Sequence, residues 1–184
     1  MKELQIPEPF LKMYYHTSAS NPGIKIPDPI LRKVSDIISN ESREELLEIS
    51  NELWRHYSYG FVGMSAPQVG YSKRMIIVGA KNFAPELLIN PEIIDADGSQ
   101  FCDEGCMSVP GLFGNVERSY KIQIKAMNLE GKNNIYCFEG FPAVVAQHEI
   151  DHLNGKLFYD VAIQGTLQWR HIDKWKEYLK LEIL

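Results

Sequence analysis

The 184-residue sequence has few cysteines, no long apolar run and no excess of positive charge, and each absence excludes a class of protein. Three cysteines, an odd count, do not suggest a disulfide framework and are better interpreted as buried thiols or metal ligands in a reducing compartment. No apolar run approaches the roughly 20 residues that a membrane-spanning helix needs. The formal net charge of −5 argues against a general nucleic-acid binder, which is normally basic.

The composition is that of an ordinary globular protein, with 45% hydrophobic and 23% charged residues. The length predicts a single domain over residues 1–184, in which prolines make residues 1–23 an irregular N-terminal extension. The N-terminus has neither the apolar core of a secretory signal nor the arginine-rich character of a transit peptide. We therefore expect a cytoplasmic location.

Hydrophobic periodicity predicts helices near both ends of the chain and strands between them. The helices are expected at residues 30–38, 43–59, 142–154 and 166–184. The second of these begins with a capping box, Ser42 and Glu45. The strands are expected at residues 74–78, 87–94, 120–128 and 135–138, the last two forming a hairpin. Residues 60–70 are rich in small residues and are predicted to form a loop.

Residues 147–155 contain the pattern His-Glu-x-x-His. On a helix, His148 and His152 lie about 40° apart on one face, and Val144 continues the same row. Two imidazole nitrogens would ligate a divalent metal, and Glu149 beside them would take a proton from a water molecule at the site. A pair of hydrogen-bonded core histidines is the alternative interpretation.

A third ligand would favour the metal site, because catalytic zinc sites normally use three protein ligands. Phe158 occupies the place where one class of peptidase has its third histidine, so that class is excluded. The downstream glutamates Glu177 and Glu182 lie in a helix that we expect to be solvated. Upstream, Cys106 precedes a segment of extended character and would reach the helix as a thiolate, with Cys102 as its rival. The spacing alone does not decide between them.

Three segments of the chain resemble, in the right order, the signature motifs of the peptide deformylase family. They are Gly-Met-Ser-Ala-Pro-Gln at residues 63–68, Glu-Gly-Cys-Met-Ser at 104–108 and Gln-His-Glu-Ile-Asp-His at 147–152. The resemblance extends to residues 26–32 and 88–92 and covers roughly residues 24–165. Three ordered motifs are far more specific than one metal-binding pattern, and they select Cys106 over Cys102.

Four positions depart from the usual family motifs. Met107 stands where leucine is usual, Met64 replaces leucine and Ser65 replaces alanine. Phe61 occupies a common glycine position, and its ring is predicted to narrow or reshape the entrance to the site. The third motif is fully matched.

The resemblance implies an α+β fold in which antiparallel β-sheets surround a central metal-binding helix, with an N-terminal and a C-terminal helix. It also implies a hydrolase that removes the formyl group from the N-terminal formyl-methionine of newly made polypeptides and releases formate. Cys106, His148 and His152 are the implied metal ligands. The implied ion is Fe²⁺, with Ni²⁺, Co²⁺ or Zn²⁺ as substitutes.

The resemblance further implies that Glu149 moves the proton, while the Gln68 amide and the Met107 backbone N–H stabilise the oxyanion. Substrate-binding positions are implied around an apolar pocket for methionine: Val62, Gly63, Gly105, Phe141, Val144 and Val145. Arg118 matches a structural position, and we expect a buried ion pair with Glu104 or Asp151.

Nascent formyl-methionyl chains are the implied partners, and the basic C-terminal helix is a candidate contact with the ribosome. No membrane contact and no sequence-specific nucleic-acid binding are expected. Two other functions stay open: a metallopeptidase that cleaves ordinary amide bonds, and a non-catalytic protein stabilised by its metal. The presence of Glu149 and Gln68, which are not needed to hold a metal, argues against the latter.

Overall fold

The computed structural model describes residues 28–170, and this part of the chain contains two antiparallel β-sheets and three α-helices. The helices are α1 (Arg43–Tyr57), α2 (Phe141–Leu153) and the short α3 (Phe158–Val161), and 3₁₀ turns cover Pro29–Arg32 and Ala66–Val69. The strands are β1 (Gly63–Ser65), β2 (Met75–Ala80), β3 (Phe83–Asp97), β4 (Gln100–Cys106), β5 (Val109–Arg118), β6 (Lys121–Met127), β7 (Asn133–Glu139) and β8 (Gln168–Trp169). None of these helices is long and apolar enough to cross a membrane.

The larger sheet has the strand order β1-β2-β3-β6-β7, and helices pack on both of its faces. Successive side chains of a strand point to opposite faces. Ile76 and Val78 of β2 accordingly pack with α2, whereas Met75 and Ile77 pack with α1. All four are fully buried, so β2 carries a continuous apolar run.

The smaller sheet has the order β4-β5-β8, and its apolar side chains form a separate core with α3. Its first strand, β4, ends beside α2, and the register with β5 shifts between Gly105 and Cys106. Such an irregularity re-aims the side chains at the end of a strand. The thiol of Cys106 is buried at this point, between the second core and α2.

Three predicted elements are confirmed. Helix α1 begins with the expected capping box, in which the Glu45 N–H donates to Ser42 Oγ at 3.2 Å and the Ser42 N–H donates to Glu45 Oε2 at 2.7 Å. Strands β6 and β7 form the predicted hairpin. Helix α2 occupies the predicted place, with Pro142 in its first turn, where a missing N–H costs little.

Two local predictions are wrong. Residues 30–38 are not a helix: after the 3₁₀ turn, Val34 forms a bridge with Asn154, and Asp36 forms one with Lys73. Residues 60–70 are not only a loop, because residues 63–65 pair with β2 as strand β1 and a 3₁₀ turn follows. In both cases pairing with a distant part of the chain overrides the local sequence pattern.

The predicted C-terminal helix is wrong in its described part. Within residues 166–170, Gln168 and Trp169 form β8 and pair with Phe113 and Leu112 of β5. The remainder of that prediction, residues 171–184, lies outside the described residues, as does the predicted extension at residues 1–23.

Candidate metal centre and active site

Cys106, His148 and His152 come together where the end of β4 meets α2. Their ligand atoms all lie within 4.8 Å of one another, and Cys106 Sγ is 3.3 Å from His152 Nε2. The two imidazoles lie one turn apart on α2, with ring centroids 5.0 Å apart. Cys102 does not belong to this group, which is the only one of its kind among residues 28–170. The structure thus brings together the three residues that the motifs selected.

The chemistry of this group fits a divalent metal ion. One thiolate with two imidazoles is a donor set that suits zinc or ferrous iron. Cys106 and His152 are buried, and His152 Nε2 faces the Cys106 sulfur at 3.3 Å. Burying two imidazoles and a thiol side by side is unfavourable unless another group satisfies their polar atoms. A metal ion would satisfy one atom of each side chain.

Electrostatics favour the ligating form of the cysteine. Burial alone would raise the pKa of the Cys106 thiol, but the imidazoles of His152 and His148 lower it well below its usual value. Burial would lower the pKa of His148, but the Cys106 sulfur and the Glu104 carboxylate raise it well above its usual value. Because the thiolate is the form of cysteine that binds metal, the site is prepared for an ion.

A buried ion-pair network orients the first histidine. His148 Nδ1 lies 2.9 Å from Glu104 Oε2, so this nitrogen carries the proton and Nε2 is left to bind metal. Arg118 contacts Glu104 through two hydrogen bonds and Asp151 through a third, at 2.5 Å. Burial would raise the pKa of Glu104, but the bonds from His148 and Arg118 lower it. The predicted Arg118 pair is confirmed, with both candidate partners.

Gln68 presents its amide nitrogen to the same site. Its Oε1 accepts hydrogen bonds from the backbone N–H and the hydroxyl of Ser65, each at 2.8 Å. Its Nε2 lies 3.3 Å from Ser108 Oγ and 3.7 Å from Cys106 Sγ. Because a backbone N–H only donates, the oxygen must face Ser65 and the two amide protons must face the site.

Glu149 is a buried carboxylate beside the metal group. It is 4% exposed, and its Oε2 has no hydrogen-bond partner in residues 28–170. Burial raises its pKa, while the neighbouring imidazoles act in the opposite direction. Strand β1 approaches it closely: a Cβ atom on Gly63 would lie 2.6 Å from Glu149 Oε1. A carboxylate held in this way is suited to accept and return a proton.

These groups face a cavity of about 180 Å³. All six predicted pocket residues line it: Val62, Gly63, Gly105, Phe141, Val144 and Val145. Gln68, Cys106, Met107, His148 and Glu149 line it as well, whereas His152 is not among the lining residues. Phe61 forms part of the wall and also packs against the α1 core.

Four lining residues were not predicted to face the cavity: Met64, Asp103, Glu104 and Cys102, the last of which was considered only as a metal ligand. Cys102 shares a face of β4 with Glu104 and Cys106, since alternate residues of a strand point the same way. Recognition of β4 as a strand would have placed it at the cavity. Asp103 points away from that face and forms an ion pair with Arg170 at 2.7 Å.

A nitrogen–sulfur ligand group next to a buried carboxylate, opening on an apolar cavity, is the arrangement of a metal-dependent hydrolase. Comparisons with known proteins identify the family within this class of hydrolases. The family model for polypeptide deformylase matches residues 22–167. The peptide deformylase of Halothermothrix orenii is 43% identical over 141 residues, which cover 76% of this chain and 92% of that relative.

Solved structures agree. The peptide deformylase of Thermotoga maritima has a TM-score of 0.68 and 38% identity, covering 74% of this chain and 92% of its own. A class I type b peptide deformylase from Acinetobacter baumannii, solved with Met-Ala-Ser bound, has a TM-score of 0.68 and 33% identity, covering 76% and 96%. The chain therefore belongs to the polypeptide deformylase family, whose enzymes remove the N-terminal formyl group from newly made polypeptides.

Proposed function

We propose that this chain hydrolyses the formyl amide at the N-terminal formyl-methionine of nascent polypeptides and releases formate. One observation carries the proposal: the three motif segments, which are distant in sequence, converge on one cavity. The A. baumannii relative binds a tripeptide that begins with methionine, which supports a methionine-terminated substrate here. The whole chain then acts as one catalytic domain.

The proposed metal ligands are Cys106 Sγ, His148 Nε2 and His152 Nε2. When bound, the ion supplies a Lewis acid that polarises the formyl oxygen and lowers the pKa of water toward neutrality. We infer Fe²⁺ as the ion in the cell, with Ni²⁺, Co²⁺ or Zn²⁺ as substitutes, from the family to which the chain belongs. The donor set is compatible, because a thiolate with imidazoles suits ferrous iron or zinc. Glu104 keeps the His148 ring in the ligating orientation.

Glu149 carries the proton in the proposed reaction. It takes a proton from the water whose oxygen forms the new bond to the formyl carbon. It then delivers that proton to the amine nitrogen as the carbon–nitrogen bond breaks, which leaves a free methionyl amine and formic acid. The acid loses its remaining proton to solvent and is released as formate. Its burial supports this role, because the raised pKa brings the carboxyl closer to the range in which it both accepts and donates.

Two donors are proposed to stabilise the negative charge on the formyl oxygen. Gln68 contributes Nε2, which already faces the cavity, and Met107 contributes its backbone N–H. Loss of one such donor typically costs about 2.7–4 kcal/mol of barrier. Because Met107 acts through its backbone, its replacement of the usual leucine should matter little.

The methionine side chain is proposed to enter the apolar part of the cavity. Its walls come from β1, the end of β4 and the first turns of α2: Val62, Gly63, Gly105, Phe141, Val144 and Val145. Both glycines allow close packing of the wall, because a Cβ would lie 2.6 Å from Glu149 Oε1 at Gly63 and 2.6 Å from the Phe113 ring at Gly105.

We also propose a cytoplasmic location and a contact with the ribosome through the basic residues that follow Arg170. Because β8 belongs to the smaller sheet, the test deletes residues 171–184 only. Pelleting with ribosomes is expected to be weaker for the deleted form than for the full chain. Equal pelleting would dismiss the contact.

The main test is formate release from formyl-Met-Ala-Ser by protein loaded anaerobically with Fe²⁺ or Ni²⁺. The Glu149→Gln variant serves as the comparison, with metal content measured for both proteins. We expect formate from the wild type and a rate lower by roughly 10²–10⁴-fold in the variant at equal metal content. Loaded wild-type protein that releases no formate would refute the function, and internal cleavage products would indicate a peptidase instead.

A further inference from the structure

Ser65 makes a double contact with Gln68. The serine is fully buried at the end of β1, where the 3₁₀ turn begins. Its hydroxyl and its backbone N–H lie at the same distance, 2.8 Å, from one acceptor, Gln68 Oε1. Ser65 is not among the residues that line the cavity, so it does not face the substrate. Its hydroxyl acts on the site only through its neighbours.

The two donors have different effects on the amide. The backbone N–H of Ser65 fixes which way the Gln68 amide faces. In the flipped orientation the amide NH₂ would face this N–H, and two donors cannot bond to each other. The hydroxyl adds a second bond to the same oxygen, which restrains rotation of the amide plane about its last torsion. Bonds to the oxygen also polarise the amide and make its N–H groups stronger donors. Both effects act on Nε2, which lies 3.3 Å from Ser108 Oγ at the cavity.

We propose that Ser65 is a positioning residue for deformylation, whose hydroxyl holds the Gln68 amide with Nε2 aimed at the formyl oxygen. The inference rests on the proposed function. Ser65 stands where the family motif usually has alanine, which supplies the backbone donor alone. This chain therefore carries an additional restraint on a group that must be placed before the reaction begins.

The first test is a double-mutant cycle between Ser65→Ala and Gln68→Ala, with steady-state kinetics at equal metal content. We expect Ser65→Ala to lower kcat by roughly twofold to tenfold and to change KM little. This loss corresponds to the removal of one neutral hydrogen bond. In the Gln68→Ala background, Ser65→Ala should cause no further fall. Ser35→Ala is the matched control, because its buried hydroxyl has no hydrogen-bond partner among the described residues, and its kcat should equal that of the wild type.

The double-mutant cycle distinguishes action of the Ser65 hydroxyl through Gln68 from action through Glu149 and from a general packing effect. The Ser65 hydroxyl is also within hydrogen-bonding reach of Glu149, which competes with Gln68 Oε1 for its single proton. If the hydroxyl acted through Glu149, or only through general packing, the loss would persist in the Gln68→Ala background. Such persistence would overturn the proposal, as would an unchanged kcat in Ser65→Ala.

A second readout does not depend on turnover. In ¹⁵N-labelled, Zn²⁺-loaded protein, the Gln68 side-chain NH₂ signals can be assigned by their absence in Gln68→Ala. We expect Ser65→Ala to move these signals toward the values of a free glutamine, and Ser35→Ala to leave them in place. Unmoved signals in Ser65→Ala would refute the restraint. If the wild type released no formate, the proposed function would fail while this measurement would still report on the contact.

Discussion

The Arg118 guanidinium donates to both oxygens of the Glu104 carboxylate, through Nε at 2.8 Å and Nη2 at 3.0 Å. A third bond, from Nη1, reaches Asp151 at 2.5 Å. The three residues belong to β5, β4 and α2, respectively. Because β4 carries the cysteine ligand and α2 carries the histidines, this buried ion cluster connects the two halves of the metal group.

Arg118→Ala is expected to destabilise the protein strongly. The substitution leaves the Glu104 and Asp151 carboxylates without their cation, and breaking a buried ion pair in this way typically costs about 3–5 kcal/mol. Urea unfolding, at equal metal content, measures the change. The control is Arg55→Ala, which removes an exposed ion pair with Glu52 and should leave the unfolding midpoint unchanged. Equal midpoints for Arg118→Ala and wild type would show that the cluster does not stabilise the fold.

Gly63→Ala should damage catalysis more than folding. The added Cβ would lie 2.6 Å from both Glu149 Oε1 and Val145 Cγ1, so the carboxylate has to shift. Small displacements of a catalytic group cost on the order of 100-fold in rate, and we expect such a fall in kcat/KM with metal content unchanged. Gly131→Ala is the control, a glycine-to-alanine substitution away from the cavity.

At Gly131 a methyl group meets no atom within 4 Å, but φ is +77°, a left-handed conformation that side chains disfavour. That variant should lose about 1 kcal/mol of stability and keep its activity. If Gly63→Ala kept full activity, the close approach of β1 to Glu149 would have no catalytic importance.

Glu41 provides a test of pH dependence away from the site. A hydrogen bond from Lys73 Nζ, at 2.5 Å, lowers the pKa of Glu41 to about 2, and backbone N–H groups of Ser39 and Asn40 contribute. Because the pKa is lower in the folded state, the ionised carboxylate stabilises the fold above its ordinary value near 4.5. This contribution is lost as the pH falls from there toward 2.

The Glu41→Gln variant should therefore melt at a lower temperature than the wild type at pH 7, with the difference shrinking as the pH falls toward 3. Glu130→Gln is the control, since Glu130 is exposed and forms no ion pair within residues 28–170. A difference that stayed constant across this pH range would contradict the role of the ionised carboxylate.

Of the two elements that carry the metal ligands, helix α2 was predicted from the sequence and strand β4 was not. Helix α2 was predicted because its histidines, its apolar row and its Pro142 and Gly155 boundaries all agree with a helix. Strand β4 was missed because its inward face carries Cys102, Glu104 and Cys106, whereas Phe101 on its outward face is 68% exposed. A strand that faces a metal site breaks the usual alternation of apolar and polar residues, so composition alone does not reveal it.

A different physical reason explains the helix wrongly predicted over residues 30–38. The apolar residues there have helical spacing, but Val34 and Ile37 are 68% and 67% exposed. Leu31 and Ile38 of that stretch are buried and Ile30 is half-buried, and the backbone bridges to Asn154 and Lys73 instead. The spacing therefore did not correspond to a buried helix face, and long-range pairing decided the local structure.

Metal addition tests the choice of cysteine directly. Binding to the folded state stabilises it by about 2.7 kcal/mol when free metal is 100 times its dissociation constant. Adding Ni²⁺ to metal-depleted protein should therefore raise the melting temperature of the wild type and of Cys102→Ala and Cys137→Ala. Cys106→Ala should lose most of this rise, because only Cys106 lies with the two histidines in the described part of the chain. A full response in Cys106→Ala, or a lost response in Cys102→Ala, would show that the thiolate ligand has been assigned to the wrong residue.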